Sequence, residues 1–372
     1  MRILFVAPNI PIPGTHGGST HVTEVVRALC RENEVLLLAR RGSTGEGVAG
    51  VGGRLLPGPL RFLLPLVHFP VAWKYARAFQ PDVIYERFSA FGLGTILGKK
   101  LGAPVVAMVL DKSAAPVTYR WADRLITTAP HLVPEKYRDK VEKVCWGANT
   151  EIFHPGNNGS HVRERHGIGR KEFLIGYMGA FYPWHGLETL VEAAVLLDRN
   201  PPVDNFRFLL VGDGQMRAPI EKLVMEKSLG HRFLFPGRVA YDSVPDYLGA
   251  VDTCVAPYNP VKHKELRRHG MFFDPLKVFE SLAAGKPTIT LDSENMRHLF
   301  EDGKHVLLVK PGDATVLAEA VSRLAVDRDL RVRLGREGRR ITETTYSWQA
   351  HGDQLCRIFR QLLESEKAGE SR

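Results

Sequence analysis

The chain has 372 residues, 44% of them hydrophobic and 24% charged, which is enough apolar material for two full-sized cores and excludes a disordered or fibrous class. Its net charge of +9 is uneven: residues 1–165 carry 21 Lys and Arg against 13 Asp and Glu, the rest 29 against 28, so the first part is basic and the remainder nearly neutral. No stretch of about 20 uncharged apolar residues occurs, which excludes a transmembrane helix. The four cysteines, Cys30, Cys145, Cys254 and Cys356, lack paired spacing. They predict neither a zinc site nor a disulfide framework, but mostly buried reduced thiols of a cytoplasmic protein.

In chain order, Arg2–Ala7 is a short apolar run that stops at Pro8-Asn9-Ile10-Pro11-Ile12-Pro13-Gly14, a buried strand entering a loop that cannot be helical. Gly17-Gly18-Ser19 then opens a segment with Val22, Val25, Val26 and Leu29 at helical spacing, and Glu34–Ala39 is the next strand. Strand, glycine loop, helix and strand make a βαβ unit, the building block of parallel sheets. Asp82–Tyr85, Pro104–Val109 and Arg124–Thr127 continue the series. Between them, Pro59–Phe79 is rich in Leu, Phe, Val and Trp but carries Arg61, Lys74 and Arg77. It reads as a core-packed helix with snorkelling cations, or alternatively as an amphipathic segment facing a membrane.

At His154–Ser160 the pattern gives way to a polar, turn-forming run that marks a linker. A second series follows: strands at Phe173–Met178, Phe206–Val211, Phe233–Phe235, Thr253–Ala256 and Thr288–Thr290, with helices at Leu187–Leu197 and around Ile220–Lys227. The expected fold class is therefore α/β: two Rossmann-like doubly wound domains in tandem, with ligands at the carboxyl ends of the strands. The expected domains are residues 1–155, residues 156–345, and a terminal segment 346–372 with a frayed tail.

The chemistry concentrates at Asp274-Pro275-Leu276-Lys277-Val278-Phe279-Glu280-Ser281-Leu282-Ala283-Ala284-Gly285-Lys286-Pro287. Asp274 predicts an N-cap, Pro275 the first helical position and Gly285 the C-terminal stop. A helix N-terminus here suits a diphosphate, with Lys277 on its first turn strengthening it. Glu280, on the second turn, can accept two hydrogen bonds from vicinal ribose hydroxyls; an exposed helix charge is the plain alternative.

The segment resembles the donor-site helix of the family 4 glycosyltransferases of the GT-B fold. Gly176-Tyr177-Met178-Gly179, Leu210-Val211-Gly212-Asp213-Gly214, Glu301-Asp302-Gly303, Val309-Lys310-Pro311-Gly312-Asp313 and Tyr346-Ser347-Trp348 extend the resemblance along the second part, as Gly17-Gly18 and Gly147-Ala148-Asn149-Thr150 with Phe153 do in the first. The resemblance implies two domains facing across a cleft, residues 1–155 taking the acceptor and 156–345 a nucleotide sugar, with the terminal helix returning to the first. It implies a retaining hexosyltransferase that makes a polysaccharide or glycolipid and uses no cofactor beyond the donor. The donor site would comprise Leu276, Lys277, Glu280, Gly179, His185 and Gly212, with Gly17 and Gly18 beneath the phosphates.

Two departures stand out. The family's first glutamate, eight positions before Glu280, is here Phe272. The Arg and Lys common after the first C-terminal strand are absent, His185 taking the lysine's place in Gly179–Gly186. The basic run Lys262–His269 is a candidate substitute, or else a solvated loop. Asp327-Arg328-Asp329, the only DxD-like run, reads as a helix connection, so no metal site is expected.

On the acceptor side the candidates for catalysis are Asp111, in Asp111-Lys112-Ser113, and His21, although a lone histidine opening a helix is more often structural. The basic first part would suit a lipid-linked or polysaccharide acceptor at the inner face of an anionic membrane. A phosphate-bearing substrate explains it equally well, and no nucleic-acid motif accompanies it. A nucleotide-sugar epimerase and a non-catalytic nucleotide-sugar-binding protein are the competing readings. A dinucleotide enzyme is disfavoured, because no GxGxxG follows the first strand.

Overall fold

In a computed structural model, residues 1–14, 16–52, 64–87, 92–112 and 114–370 are described. Two compact units emerge: Met1–Trp146 together with Trp348–Arg372, and Gly147–Ser347.

The first unit runs β1 (Arg2–Val6), α1 (Gly17–Leu29), β2 (Glu34–Arg40), β3 (Val48–Gly52), α2 (Leu64–Phe79), β4 (Val83–Arg87), α3 (Leu93–Leu101), β5 (Val105–Met108), α4 (Pro116–Trp121), β6 (Arg124–Thr127) and β7 (Val141–Lys143). Its seven strands are all parallel, in the order β3-β2-β1-β4-β5-β6-β7. Helices on both faces explain why residues 3–6, 83–85 and 105–108 are continuous apolar runs rather than alternating ones. Two strands escape the sequence reading, because Val48-Ala49-Gly50-Val51-Gly52 is diluted by glycine and Val141-Glu142-Lys143 is short and polar. Of the apolar segment Pro59–Phe79, residues 59–63 lie outside the described residues. The remainder is α2, whose Ala72 and Ala76 are buried while Val67, Val71 and Tyr75, spaced four apart, are exposed.

The second unit runs α5 (Ser160–Arg165), β8 (Phe173–Met178), α6 (Leu187–Arg199), β9 (Phe206–Val211), α7 (Arg217–Glu226), β10 (Phe233–Gly237), α8 (Val244–Ala250), β11 (Thr253–Ala256), α9 (Lys264–His269), α10 (Leu276–Ala283), β12 (Thr288–Leu291), α11 (Glu294–Leu299), β13 (Leu307–Val309), α12 (Ala314–Val326) and α13 (Arg328–Thr344). Its six-stranded sheet is again all parallel, in the order β10-β9-β8-β11-β12-β13. Phe206, Phe208, Leu210 and Ile175 pack with Leu190, Val191 and Leu197 of α6 and Leu317 and Val321 of α12. Each such side chain contributes about 1.5–3 kcal/mol on burial.

The break between units falls at Trp146 and Gly147, not near residue 155. The turn-rich stretch His154–Ser160 packs inside the second unit. Asn157 Nδ2 donates to the Ile152 carbonyl at 3.1 Å, and a Cβ on Gly159 would lie 2.0 Å from the Ala250 nitrogen. Polar composition marked a fold-back, not a linker. The last helix, α14 (Trp348–Glu370), belongs to the first unit, where Gly352 lies against Ala28 of α1 and the Phe359 ring is 6.1 Å from that of Tyr85.

All four cysteines are free; Cys254 and Cys356 are buried, but Cys30 is exposed. Among the described residues no helix is long and apolar enough to cross a membrane. Asp327 is the cap of α13, its carboxylate accepting from the Leu330 N–H at 2.8 Å, which accounts for the DxD-like run. No group of three His, Cys, Asp or Glu side chains among the described residues is arranged to hold a metal ion.

Candidate donor site

Helix α10 starts one residue later than its sequence suggests. Pro275, in an extended conformation, holds the cap position, and no side chain caps the helix; Asp274 is buried just ahead of it. Gly285, at φ +68°, terminates the helix as expected.

Lys277 leaves the first turn towards the carboxyl end of β8. Its ammonium donates to the Tyr177 hydroxyl at 2.7 Å and lies over the rings of Tyr177 and Tyr258, 4.2 and 4.8 Å from their centroids. The Tyr177 hydroxyl donates in turn to the Ala180 carbonyl. His185 Nδ1 lies 2.9 Å from the Tyr177 hydroxyl and within hydrogen-bond reach of that same carbonyl. A carbonyl can only accept, so this network assigns the His185 proton to Nδ1. The 3.3 Å approach of Lys277 Nζ to Nδ1 is then between two donors, and the Tyr177 hydroxyl is the single acceptor for three ammonium protons among the described residues.

The enclosure has an electrostatic signature. Burial holds the Lys277 ammonium well below its usual range, with the nearby Glu280 carboxylate partly restoring it. Burial, seconded by the Lys277 charge, pushes His185 down to about 2, so its imidazole is neutral at any physiological pH. Burial and then the Glu280 charge raise the Tyr258 phenol, the ring over which the Lys277 ammonium also lies. Strongly shifted groups gathered on one loop-lined spot are what a binding site for charged ligands requires.

Two glycines let the neighbouring loops close up. Gly179, at φ +145°, has the Lys277 Nζ 3.0 Å from where a Cβ would stand, and Gly212, at φ +142°, lies against the Gly179 carbonyl, 1.9 Å from its own missing Cβ. The structure thus gathers Lys277, Glu280, His185, Gly179 and Gly212, with Leu276 half-buried at the head of the helix. In the basic run Lys262–His269, Lys262 pairs with Glu188 and His269 lies 3.7 Å from Glu265. The cation missing from Gly179–Gly186 is thus supplied from α10. Sequence reasoning missed the aromatic lining: Trp184 stacks on Tyr182 and on Tyr258 at 6.0 and 5.9 Å, and Phe273 meets it edge-on. The repeated aromatics of Phe181-Tyr182-Pro183-Trp184 were the available signal.

The remaining candidates lie in the first unit. Gly17 and Gly18 form the first turn of α1, capped by His16, whose Nδ1 accepts from the Ser19 N–H at 3.2 Å. Asp111 follows β5, half-buried near Tyr119, whose phenol it helps burial to raise; residue 113 lies outside the described residues. His21 requires a correction. Its ring is fully buried against Trp146, Trp348 and His351, and its Nδ1 accepts from Arg87 Nε at 3.1 Å. A general base must reach the proton it takes. A ring with no exposed surface and a lone pair already engaged cannot, so His21 leaves the catalytic set.

Comparison with known proteins identifies the family. Residues 160–341 match the family described as Glycosyl transferases group 1, and residues 15–132 match Glycosyltransferase Family 4. The chain is 28% identical over 203 residues to alpha-D-kanosaminyltransferase of Streptomyces kanamyceticus, a match covering 55% of this chain and 49% of the relative. It is 26% identical over 217 residues to the GDP-mannose-dependent alpha-(1-6)-phosphatidylinositol monomannoside mannosyltransferase of Mycobacterium tuberculosis, covering 58% and 54%. The chain thus spans about half the length of these relatives. Among solved structures, sucrose-phosphate synthase of Thermosynechococcus elongatus superposes with a TM-score of 0.77 at 20% identity, over 98% of this chain and all of that one. Anabaena HepE in complex with UDP and glucose gives 0.75 at 17% identity, over 97% and 99%. At these identities the superpositions establish the fold.

Proposed function

This chain belongs to the family 4 glycosyltransferases of the GT-B fold, and from that membership we propose that it moves a sugar from a nucleoside-diphosphate sugar to an acceptor hydroxyl. The observation that carries this reading is the Lys277 ammonium, enclosed beside Gly179 at the head of α10 with one acceptor for its three protons. Breaking the sugar–phosphate bond leaves a diphosphate with growing negative charge. A fixed ammonium and the N–H groups of a helix start stabilise that charge without reorganising.

In this scheme Glu280 accepts from the ribose hydroxyls, and Leu276 and Gly212 line the nucleotide. His185 stays neutral and orders the Gly179 loop through its hydrogen bond to the Ala180 carbonyl. We assign the transfer to the retaining class, the donor's own phosphate assisting the incoming hydroxyl, with no resident metal or other cofactor; the cations named above provide the charge stabilisation. Asp111 is the one acceptor-side carboxylate we retain.

The acceptor we favour is a glycan, polysaccharide or lipid-linked sugar. Support comes from relatives named for a phosphatidylinositol mannoside and, in Rhizobium meliloti LpsE, for lipopolysaccharide core. Peripheral contact with an anionic membrane at its cytoplasmic face fits the exposed Val67, Val71 and Tyr75 of α2, flanked by Lys74 and Arg77. The test is transfer from a panel of UDP-, GDP- and ADP-sugars to lipid-linked and oligosaccharide acceptors, with chelator present and the product anomer read by NMR. Product from one donor series with the donor's anomeric configuration supports the reading. Tight nucleotide binding with neither transfer nor donor hydrolysis would replace it with a non-catalytic binding protein.

A further inference from the structure

The first unit holds a buried cation that the donor site does not use. Arg87 ends β4, the strand next to β1, at the carboxyl edge where α/β sheets bind ligands. It is 7% exposed. Its guanidinium rests on the first turns of α1, through the 3.1 Å hydrogen bond from Nε to His21 Nδ1. Its charge also reaches His16, the cap of the same helix.

Among the described residues no carboxylate pairs with this charge. Glu86, its neighbour in the strand, faces the other way and is consumed by α3, accepting from the Gly94 and Thr95 N–H groups at 2.7 and 3.0 Å and from the Thr95 hydroxyl at 2.8 Å. Burial pushes the Arg87 pKa down to about 10, and among the described residues Tyr85 is the one titratable group that works against that shift. Among the described residues the two amino groups of Arg87 make no hydrogen bond. A guanidinium this buried, held through Nε alone and answered by no carboxylate among the described residues, costs several kcal/mol, and folding alone gives little reason to keep it.

His21 explains how the charge is aimed. Burial, with the Arg87 charge next, holds the imidazole well below its usual range, so it stays neutral, and the bond from Arg87 fixes Nδ1 as the bare nitrogen. The ring is wedged between Trp146, 4.8 Å away, and Trp348, 5.3 Å away. That clamp holds Nε and leaves the outer fork of the guanidinium as a paired donor, the geometry that suits phosphate oxygens.

We propose that Arg87, positioned by His21 at the start of α1, binds a phosphoryl group of a substrate in the first unit. The thirteen-residue α1, whose Gly17 and Gly18 N–H groups open the helix, adds its dipole to the same spot. Because Lys277 already provides the second unit with its own cation, the expected source is a phosphoryl group on the acceptor. The donor diphosphate is the alternative source. This inference rests on the transferase reading only for the identity of the substrates; the anion site itself does not.

The test follows the melting temperature and calorimetric binding of full-length protein with pyrophosphate at constant ionic strength, with and without saturating nucleoside diphosphate. Wild type, Arg87→Met and Arg87→Lys are compared. The expected result is pyrophosphate binding at least tenfold weaker in Arg87→Met and partly kept in Arg87→Lys, with Arg87→Met melting no lower than wild type when no anion is present. Binding that survives nucleotide saturation assigns the site to the acceptor; binding that nucleotide competes away assigns it to the donor. The proposal is overturned if Arg87→Met binds pyrophosphate as wild type does, or if it melts several degrees lower without anion, which marks a structural arginine. Because nucleotide binding is read separately in wild type, failure here leaves the donor site standing.

Discussion

Lys277 and Tyr177, a hundred residues apart, meet at 2.7 Å, the ammonium donating to the hydroxyl while lying over the same ring. Tyr177→Phe keeps the ring and deletes the acceptor. A hydrogen bond to a charged group contributes about 1.5–3 kcal/mol, part of which is retained through the ring face. Nucleotide affinity should therefore fall roughly 3- to 10-fold, and the melting temperature should fall too, because the buried ammonium loses its acceptor. Calorimetric titration of the matching nucleoside diphosphate checks both, and unchanged affinity would detach Tyr177 from the site.

Lys277 carries the charge itself. In Lys277→Met, nucleoside diphosphate should bind about 10- to 100-fold more weakly, the loss of one charge-assisted contact to phosphate. Because burial depresses the pKa of this ammonium and an arriving diphosphate restores it, binding should take up protons. The window lies between the depressed value and the ordinary lysine value, and affinity falls as pH rises through it. Binding enthalpies in buffers of different ionisation heat measure the uptake. Wild type should show it at alkaline pH and Lys277→Met should not.

Gly212→Ala is predicted to damage the site without touching a functional side chain. The new Cβ would stand 1.9 Å from the Gly179 carbonyl, in a backbone held at φ +142°. Both effects force the two loops apart, at a cost of about 1–3 kcal/mol. A lower melting temperature with weakened nucleotide binding is expected. Wild-type values for both would show that the loops can part freely.

The first unit should be acid-sensitive through His351. Burial pushes this imidazole down to about 4, while its Nδ1 donates to the Cys145 carbonyl at 2.8 Å. Below the unfolded value of 6.5 the unfolded chain takes up a proton that the folded chain refuses, so stability falls as pH drops from 6.5 to about 4 and then levels. The loss is about 3 kcal/mol for this group. Melting temperatures between pH 8 and 4 should decline less steeply in His351→Gln, and equal slopes would contradict the assignment.

Much of this was legible beforehand, for particular reasons. Runs such as Phe173–Met178 and residues 208–211 are buried on both faces and so are continuously apolar, which makes parallel strands conspicuous. Glu280, Lys277 and Gly179 stood out because they sit at punctuation points, a helix start and a strand end. His21 misled because it lies in a glycine-opened helix near a ligand-binding edge, while its burial depends on Trp348, 327 positions away in sequence. The Tyr177, Tyr258 and Trp184 lining was hidden for the same reason: an aromatic in or beside a buried strand looks the same whether it packs a core or encloses an ammonium. Asp274 shows the limit of local rules, since a good capping residue beside a proline is displaced from the cap when burial claims its side chain.

The central claim is that α10 presents a nucleotide site built on Glu280 and Lys277. Its most direct test is calorimetric titration of UDP, GDP and ADP into wild type and Glu280→Ala, with folding of both verified by melting. Binding of one nucleotide in the micromolar range, reduced at least tenfold in Glu280→Ala, is the predicted result. Failure of folded wild-type protein to bind any of the three, or equal binding by the variant, would contradict it.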